Sequence, residues 1–120
     1  MNNYKELKIW QKSVDLAVSI YDVTKNFPRE ELYGLTSQLR RCAVSIPSNI
    51  AEGAGRNTKK DFNNFLGISN GSSCELETQL IIAQRINFID INTMESVQQE
   101  IVEIQKMNWS LKKSLNLTQD

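Results

Sequence analysis

Apolar residues along this chain recur at intervals of three and four, the period of an α-helix, and no segment alternates long enough to predict a strand. Leu7, Trp10, Val14, Ala17 and Tyr21 step along a first helix over about residues 4–25. It should stop before Pro28, because a proline disfavours helical dihedrals in the residue before it. A second helix, about 30–54, opens with Glu30 and Glu31 at the positive end of its macrodipole. Its stripe is Leu32, Leu35, Leu39, Cys42, Ala43, Ile46 and Ile50. Pro47 removes one backbone hydrogen bond and predicts a kink or a break, and Gly53 and Gly55 supply the stop signal. The third helix, about 59–87, opens after Thr58, whose hydroxyl caps it with Asp61 three residues on. Phe62, Phe65, Ser69, Ser72, Leu76, Leu80 and Ala83 follow as its inner line. Asn92 and Glu95 open a fourth, about 93–115, striped by Met94, Val97, Ile101, Ile104, Leu111 and Leu115. From Asn116 the chain is polar and is expected to fray. Four helices of similar length with short connections predict an all-α, antiparallel up-down four-helix bundle, one domain over residues 1–120.

Helix 1 carries more apolar surface than one core-facing stripe requires. Ile9, Leu16, Ile20 and Val23 cluster roughly opposite the Leu7–Trp10–Val14–Tyr21 line. The third helix repeats the feature: Ile68, Ile82 and Ile86 lie to one side of its inner line. Single exposed apolar residues are ordinary, but a line of them on a helix already committed on its other side is not. These two lines are therefore expected to form a homo-oligomer interface.

Composition narrows the function classes. With 40% apolar and 23% charged residues the chain has the make-up of a globular domain rather than a disordered one. Its N-terminus has no secretory apolar run, and no stretch approaches the roughly 20 apolar residues that span a bilayer, so a cytoplasmic protein without a membrane partner is expected. Cys42 and Cys74 are far apart and no histidine accompanies them, which leaves a disulfide framework or a zinc site unsupported and buried free thiols the expectation. The absence of histidine also removes the commonest general base and metal ligand. Glu75 and Glu77, two apart on a helix, point in different directions, and GAGR lacks the spacing and preceding strand of a phosphate loop. Nothing indicates an enzyme, a cofactor, a metal or a small-molecule substrate.

Charge is balanced overall but not along the chain. Residues 1–60 hold ten Lys/Arg and six Asp/Glu, net +4, and residues 61–120 hold four and eight, net −4. Such halves complement each other within a bundle or between subunits, the commoner case, or offer a basic surface to nucleic acid. Beside the core stripe of helix 2 runs a polar line of Gln38, Arg41, Ser45, Ser48, Asn49, Glu52 and Arg56, spanning a sector of about 100°. It reads either as a partly buried hydrogen-bond network that orients helices or as guanidinium forks set for phosphates, with Ser48 and Asn49 adding neutral contacts. Physics alone favours the network.

WQKSVDLAVSIY, FPREELYGLTSQLRRCAVSIPSNIAEGAGR and NGSSCELETQL resemble the three signature blocks of the 23S rRNA intervening-sequence protein family, also called four helix bundle proteins and historically labelled ribosomal-protein-like. The resemblance runs from Tyr4 to about Ile89, and the middle block is long and specific. Members are bacterial and similar to the accessory variability proteins of diversity-generating retroelements. The resemblance implies a homopentamer of antiparallel four-helix bundles, with nucleic-acid binding proposed and, among the retroelement relatives, a reverse transcriptase as protein partner. The family pattern places Arg40, Arg41, Ser45, Pro47, Asn49, Glu52, Gly53 and Arg56 in the central block, and Ser72, Glu75 and Glu77 in the third. Asn70 departs from the basic residue that many members carry before the Gly-Ser pair. With a neutral chain, this predicts weak, salt-sensitive or local binding, because phosphate neutralisation dominates affinity. The expectation is a non-enzymatic, oligomeric, nucleic-acid-associated protein with Arg40, Arg41, Arg56, Lys59 and Lys60 on phosphates. The alternative is an adaptor bundle that binds another protein, such as a reverse transcriptase.

Overall fold

The computed structural model describes residues 3–116. Four helices account for most of them: α1 (Lys8–Thr24), α2 (Leu35–Ala54), α3 (Lys59–Arg85) and α4 (Ile91–Asn116). Each packs on its neighbours in sequence, and α1 also packs on α4, which closes an up-and-down four-helix bundle 48 × 23 × 20 Å in extent. No strand occurs among the described residues. The predicted frayed tail beyond Asn116 lies outside them.

Local chemistry explains where the helices start and stop. A single 3-10 turn, Tyr4–Glu6, precedes α1, with the Asn3 side chain accepting from Lys5 N, and Leu7 is extended at ψ 124°. The first helix thus begins four residues after the expected start. A second 3-10 turn, Arg29–Glu31, occupies the place where helix 2 was expected to open. Its Glu31 carboxylate caps α2 from outside, accepting from Leu35 N at 3.1 Å. Glu31 therefore serves the positive helix end, as its charge requires, without belonging to the helix. Leu32 falls in the connection and is exposed rather than in the core. Thr58 caps α3 through Asp61 N, as expected. The α3–α4 turn is a Schellman motif: Asn87 takes the left-handed φ of 67° and Phe88 N donates to Ala83 O at 2.8 Å. Asp90, not Asn92, caps α4, accepting from Thr93 N at 2.7 Å. That hydrogen bond to the charged form holds the Asp90 carboxyl below its ordinary pKa.

Pro47 does not break α2, which is helical through it. The bond it removes is the one to Ala43 O, four residues back. Around the proline, Asn49 Nδ2 reaches Ser45 O at 2.8 Å and Ser69 Oγ of α3 reaches Ile46 O at 3.0 Å, which ties this turn to α3. Pro47 itself is buried. Of the two glycines expected to stop the helix, Gly55 is the C-cap of α2, its N–H donating back to Ala51 O, whereas Gly53 is not a stop. Gly53 lies inside α2, buried, and neither glycine has a positive φ. A Cβ on Gly53 would sit 2.7 Å from Phe65 Cβ and 3.0 Å from Phe62 Cδ1, so this glycine marks a close approach of α2 and α3.

The largest correction concerns α1. Its inner face is Ile9, Ser13, Leu16, Ala17, Ile20 and Thr24, with Ile9 at 3% exposure and Leu16 and Ile20 at 0%. Leu7, Trp10, Val14 and Val23 are half-buried at its flanks, and Tyr21 is exposed. Ile9, Leu16 and Ile20 therefore belong to the core of one chain and are not an outer interface, and Val23 packs against that core. Helical periodicity locates two apolar stripes without saying which turns inward. Here the line of compact branched side chains fills the interior, and its two hydroxyls are satisfied within the helix by Trp10 O and Ile20 O. The larger rings sit at the edge, where Trp10 meets Tyr4 edge-on at 5.3 Å.

Candidate functional site

The polar line of α2 divides into an inner seam and an outer ridge. In the seam Ser45 Oγ shares a 2.8 Å hydrogen bond with Ser72 Oγ of α3, and Asn49 Nδ2 donates to Ser45 Oγ at 3.0 Å. Small hydroxyl-bearing residues let the two helices approach, and the bonds fix their register. Ser45 and Asn49 thus meet Ser72, 27 positions from Ser45 along the chain, in one network. Glu77 accepts from Gln98 of α4 at 3.0 Å, whereas Glu75 lies in the α2–α3 cleft beside the Cys42 thiol. Glu75 and Glu77 are not brought together. Polar locks absent from the sequence reading join the remaining helix pairs. Asn108, 2% exposed, donates to Leu66 O at 2.9 Å, Gln105 reaches Ser73 Oγ at 3.1 Å, and Lys12 pairs with Glu103 at 2.7 Å. A polar residue on an otherwise apolar heptad line was the only available signal for Asn108.

The five expected phosphate contacts occupy different settings. Arg40 is half-buried: its Nε donates to Thr24 Oγ1 at 2.8 Å, its Nη2 lies 3.4 Å from Tyr21 O, and its guanidinium sits 4.6 Å from the Tyr21 ring centroid. This ties α2 to the carbonyl end of α1, where a cation is favoured. Arg56 pairs with Glu52 at 3.2 Å and lies 4.9 Å from the Phe65 ring, clamping the end of α2 on α3. Lys59 and Lys60 stand at the start of α3, each with an interaction of its own. Arg41 and Arg56 are both exposed, and of the three arginines only Arg41 makes no hydrogen bond or ion pair among the described residues.

Arg41 is the wall between two concavities. On one side a polar slot of about 360 Å³ runs between α2 and α3, lined by Gln38, Cys42, Ser45, Ser72, Glu75 and Gln79 with Arg41. On the other, a groove of about 460 Å³ opens where α1 ends and α2 begins. Tyr21, Leu32, Tyr33, Val44 and Arg40 line it together with Arg41, Thr36 and Ser37. The groove is not visible in the sequence pattern, because Tyr21 and Leu32 fall at the helical spacing of core residues, whereas both are exposed.

Cys42 is buried at the inner end of the slot, but Cys74 is exposed, contrary to the expectation of two buried thiols. Burial, and after it the Glu75 carboxylate, push the Cys42 thiol up to about 11, so it stays protonated near neutrality. A thiol reagent at pH 7.5 (mass spectrometry of timed samples) should label Cys74 within the mixing regime and Cys42 at least tenfold more slowly, on the order expected when reaction awaits local opening. Equal rates would contradict the burial of Cys42.

The architecture and its polar seam define an all-α protein of the up-and-down four-helix-bundle class. Residues 5–110 match the family model described as 23S rRNA-intervening sequence protein, and the chain belongs to that family. A solved structure similar to it is a protein of unknown function from the S23 ribosomal protein family of Bacteroides thetaiotaomicron VPI-5482. It is 29% identical, with a TM-score of 0.81 over 88% of this chain and 95% of that one. No curated protein matches the sequence. No helix among the described residues is long and apolar enough to cross a membrane.

Proposed function

We propose that the chain works as a non-enzymatic, homo-oligomeric binding protein that associates with structured nucleic acid, in the manner of the rRNA intervening-sequence proteins. The observation that carries the nucleic-acid half is Arg41. It is a planar, permanently charged fork held on a rigid helix, exposed and unpaired among the described residues. Lys59, Lys60 and Arg56 extend the basic surface toward the α2–α3 turn, and Arg40 contributes charge from behind Tyr21. Because Arg40 and Arg56 are already engaged, binding is local and rests on few phosphates.

Assembly is supported by the outer face of α3. Ile68, Ile82 and Ile86 are exposed there, and Gly71 falls between them within a sector of about 60°. A Cβ on Gly71 would meet nothing within 4 Å, so nothing in the chain itself requires glycine. A mid-helix glycine costs about 1 kcal/mol relative to alanine, and close approach of a second copy is the physical reason to keep one. A homopentamer is the assembly that the family resemblance implies. The engagement of the other basic side chains favours one competing reading, an adaptor bundle whose outer faces hold another protein such as a reverse transcriptase.

Fluorescence anisotropy with a stem-loop RNA and a duplex DNA at several salt concentrations separates the two. Binding should weaken steeply with salt, and Arg41→Ala should lower the slope of log K against log salt by about 1 without changing helix content. No binding at low salt, with assembly intact, would leave the adaptor.

A further inference from the structure

The groove beside Arg41 has the chemistry of a platform for an unpaired base. Tyr33 is 93% exposed, and Tyr21, Leu32 and Val44 are each more than 40% exposed around the same concavity. Large apolar side chains gathered on one opening mark a binding surface more often than chance scatter does. No carboxylate lines the groove, while two guanidiniums do. Its occupant therefore combines a flat or apolar body with negative charge. A volume of about 460 Å³ is that of a small-ligand site and admits a single nucleotide rather than a double helix.

The two arginines divide the work. Arg40 is fixed over the Tyr21 ring and by its bond to Thr24, so that ring is held in place before anything binds. Arg41, without such ties, is left for a phosphate. Thr36, in the same wall, has a buried hydroxyl with no hydrogen-bond partner among the described residues. Aromatic faces beside a free guanidinium are how proteins hold single strands, because every base has a face to stack and every nucleotide a phosphate to neutralise. We propose that this groove stacks an unpaired base of the bound nucleic acid against Tyr33 and Tyr21, with the adjoining phosphate on Arg41. The assignment rests on the nucleic-acid reading above and adds that the element recognised is a loop, bulge or single strand.

The test uses the full-length protein in its native assembly with three probes: an oligothymidine, an abasic oligomer of equal length, and a duplex. The oligothymidine should bind more tightly than either of the others. Tyr33→Ala should weaken it roughly 5- to 100-fold, the range of one lost base–aromatic stack, down to the level of the abasic probe. Tyr33→Phe should retain the affinity, since the ring remains. Light scattering should give both variants the mass of the parent protein. If Tyr33→Ala leaves oligothymidine affinity unchanged while Arg41→Ala reduces it, the stacking site is overturned and nucleic-acid binding stands. If Tyr33→Ala changes the assembled mass, the groove is a subunit contact and the proposal fails. If no probe binds at low salt, the nucleic-acid reading falls and this one with it.

Discussion

Alanine at Gly53 should cost the fold about 1–3 kcal/mol, although the same change inside an isolated helix gains about 1 kcal/mol. The sign is decided at the α2–α3 crossing. The added Cβ would lie 2.7 Å from Phe65 Cβ and 3.3 Å from Phe62 O. Neither of those atoms moves by turning a side chain, so the helices themselves must separate. A carbon pair at ordinary contact stands at about 3.5–4.0 Å, and opening the crossing by that difference loosens every contact along it. Gly55 is the control. It sits at φ −82°, and its Cβ would meet only carbonyl oxygens at 3.5 and 3.6 Å. Gly55→Ala should therefore be neutral or stabilise by up to about 1 kcal/mol through the unfolded chain. Urea midpoints at constant m-value measure both, and equal effects at the two glycines would refute the close crossing.

Truncating Leu16 should cost about 2–5 kcal/mol, the range for removing a leucine from a packed interior. Leu16 is wholly buried among Ile20, Leu39 and the other core residues of a single chain. Its loss is therefore a loss of folding, and raising protein concentration does not restore it. Ile82 makes the opposite case. It is exposed on the outer face of α3, so Ile82→Asp should leave the far-ultraviolet spectrum of the diluted protein unchanged and reduce the mass seen by light scattering. A Leu16→Ala protein as stable as the parent but dissociated would return the α1 line to the interface. An Ile82→Asp protein of unchanged mass would remove α3 from it.

The candidate site was partly legible along the chain and partly not. Ser45, Asn49 and Ser72 carry their role in their spacing, since hydroxyls and amides beside a core stripe have few uses other than bonding a neighbouring helix. Arg41 was legible as a basic residue on that line. Its difference from Arg40 was not, because one residue of helical rotation, about 100°, turns Arg40 toward Thr24 and Tyr21 and leaves Arg41 outside. The groove was hidden for a related reason. Helix 2 starts at Leu35, so Leu32 and Tyr33 sit in a turn that holds them outward.

Periodicity and stop signals in the sequence alone determined that there are four helices, close to their lengths, and their antiparallel order. Those features follow from local sterics and from the need of each apolar stripe for a partner. Tertiary structure decided which stripe of α1 faces inward, which glycine is there for a close approach, and which arginine remains free. Each of these depends on the shape of a surface contributed by another part of the chain. A helix with two apolar sides can satisfy its own hydrogen bonds in either orientation, and only the fit of Ile9, Leu16 and Ile20 against the other helices chooses between them.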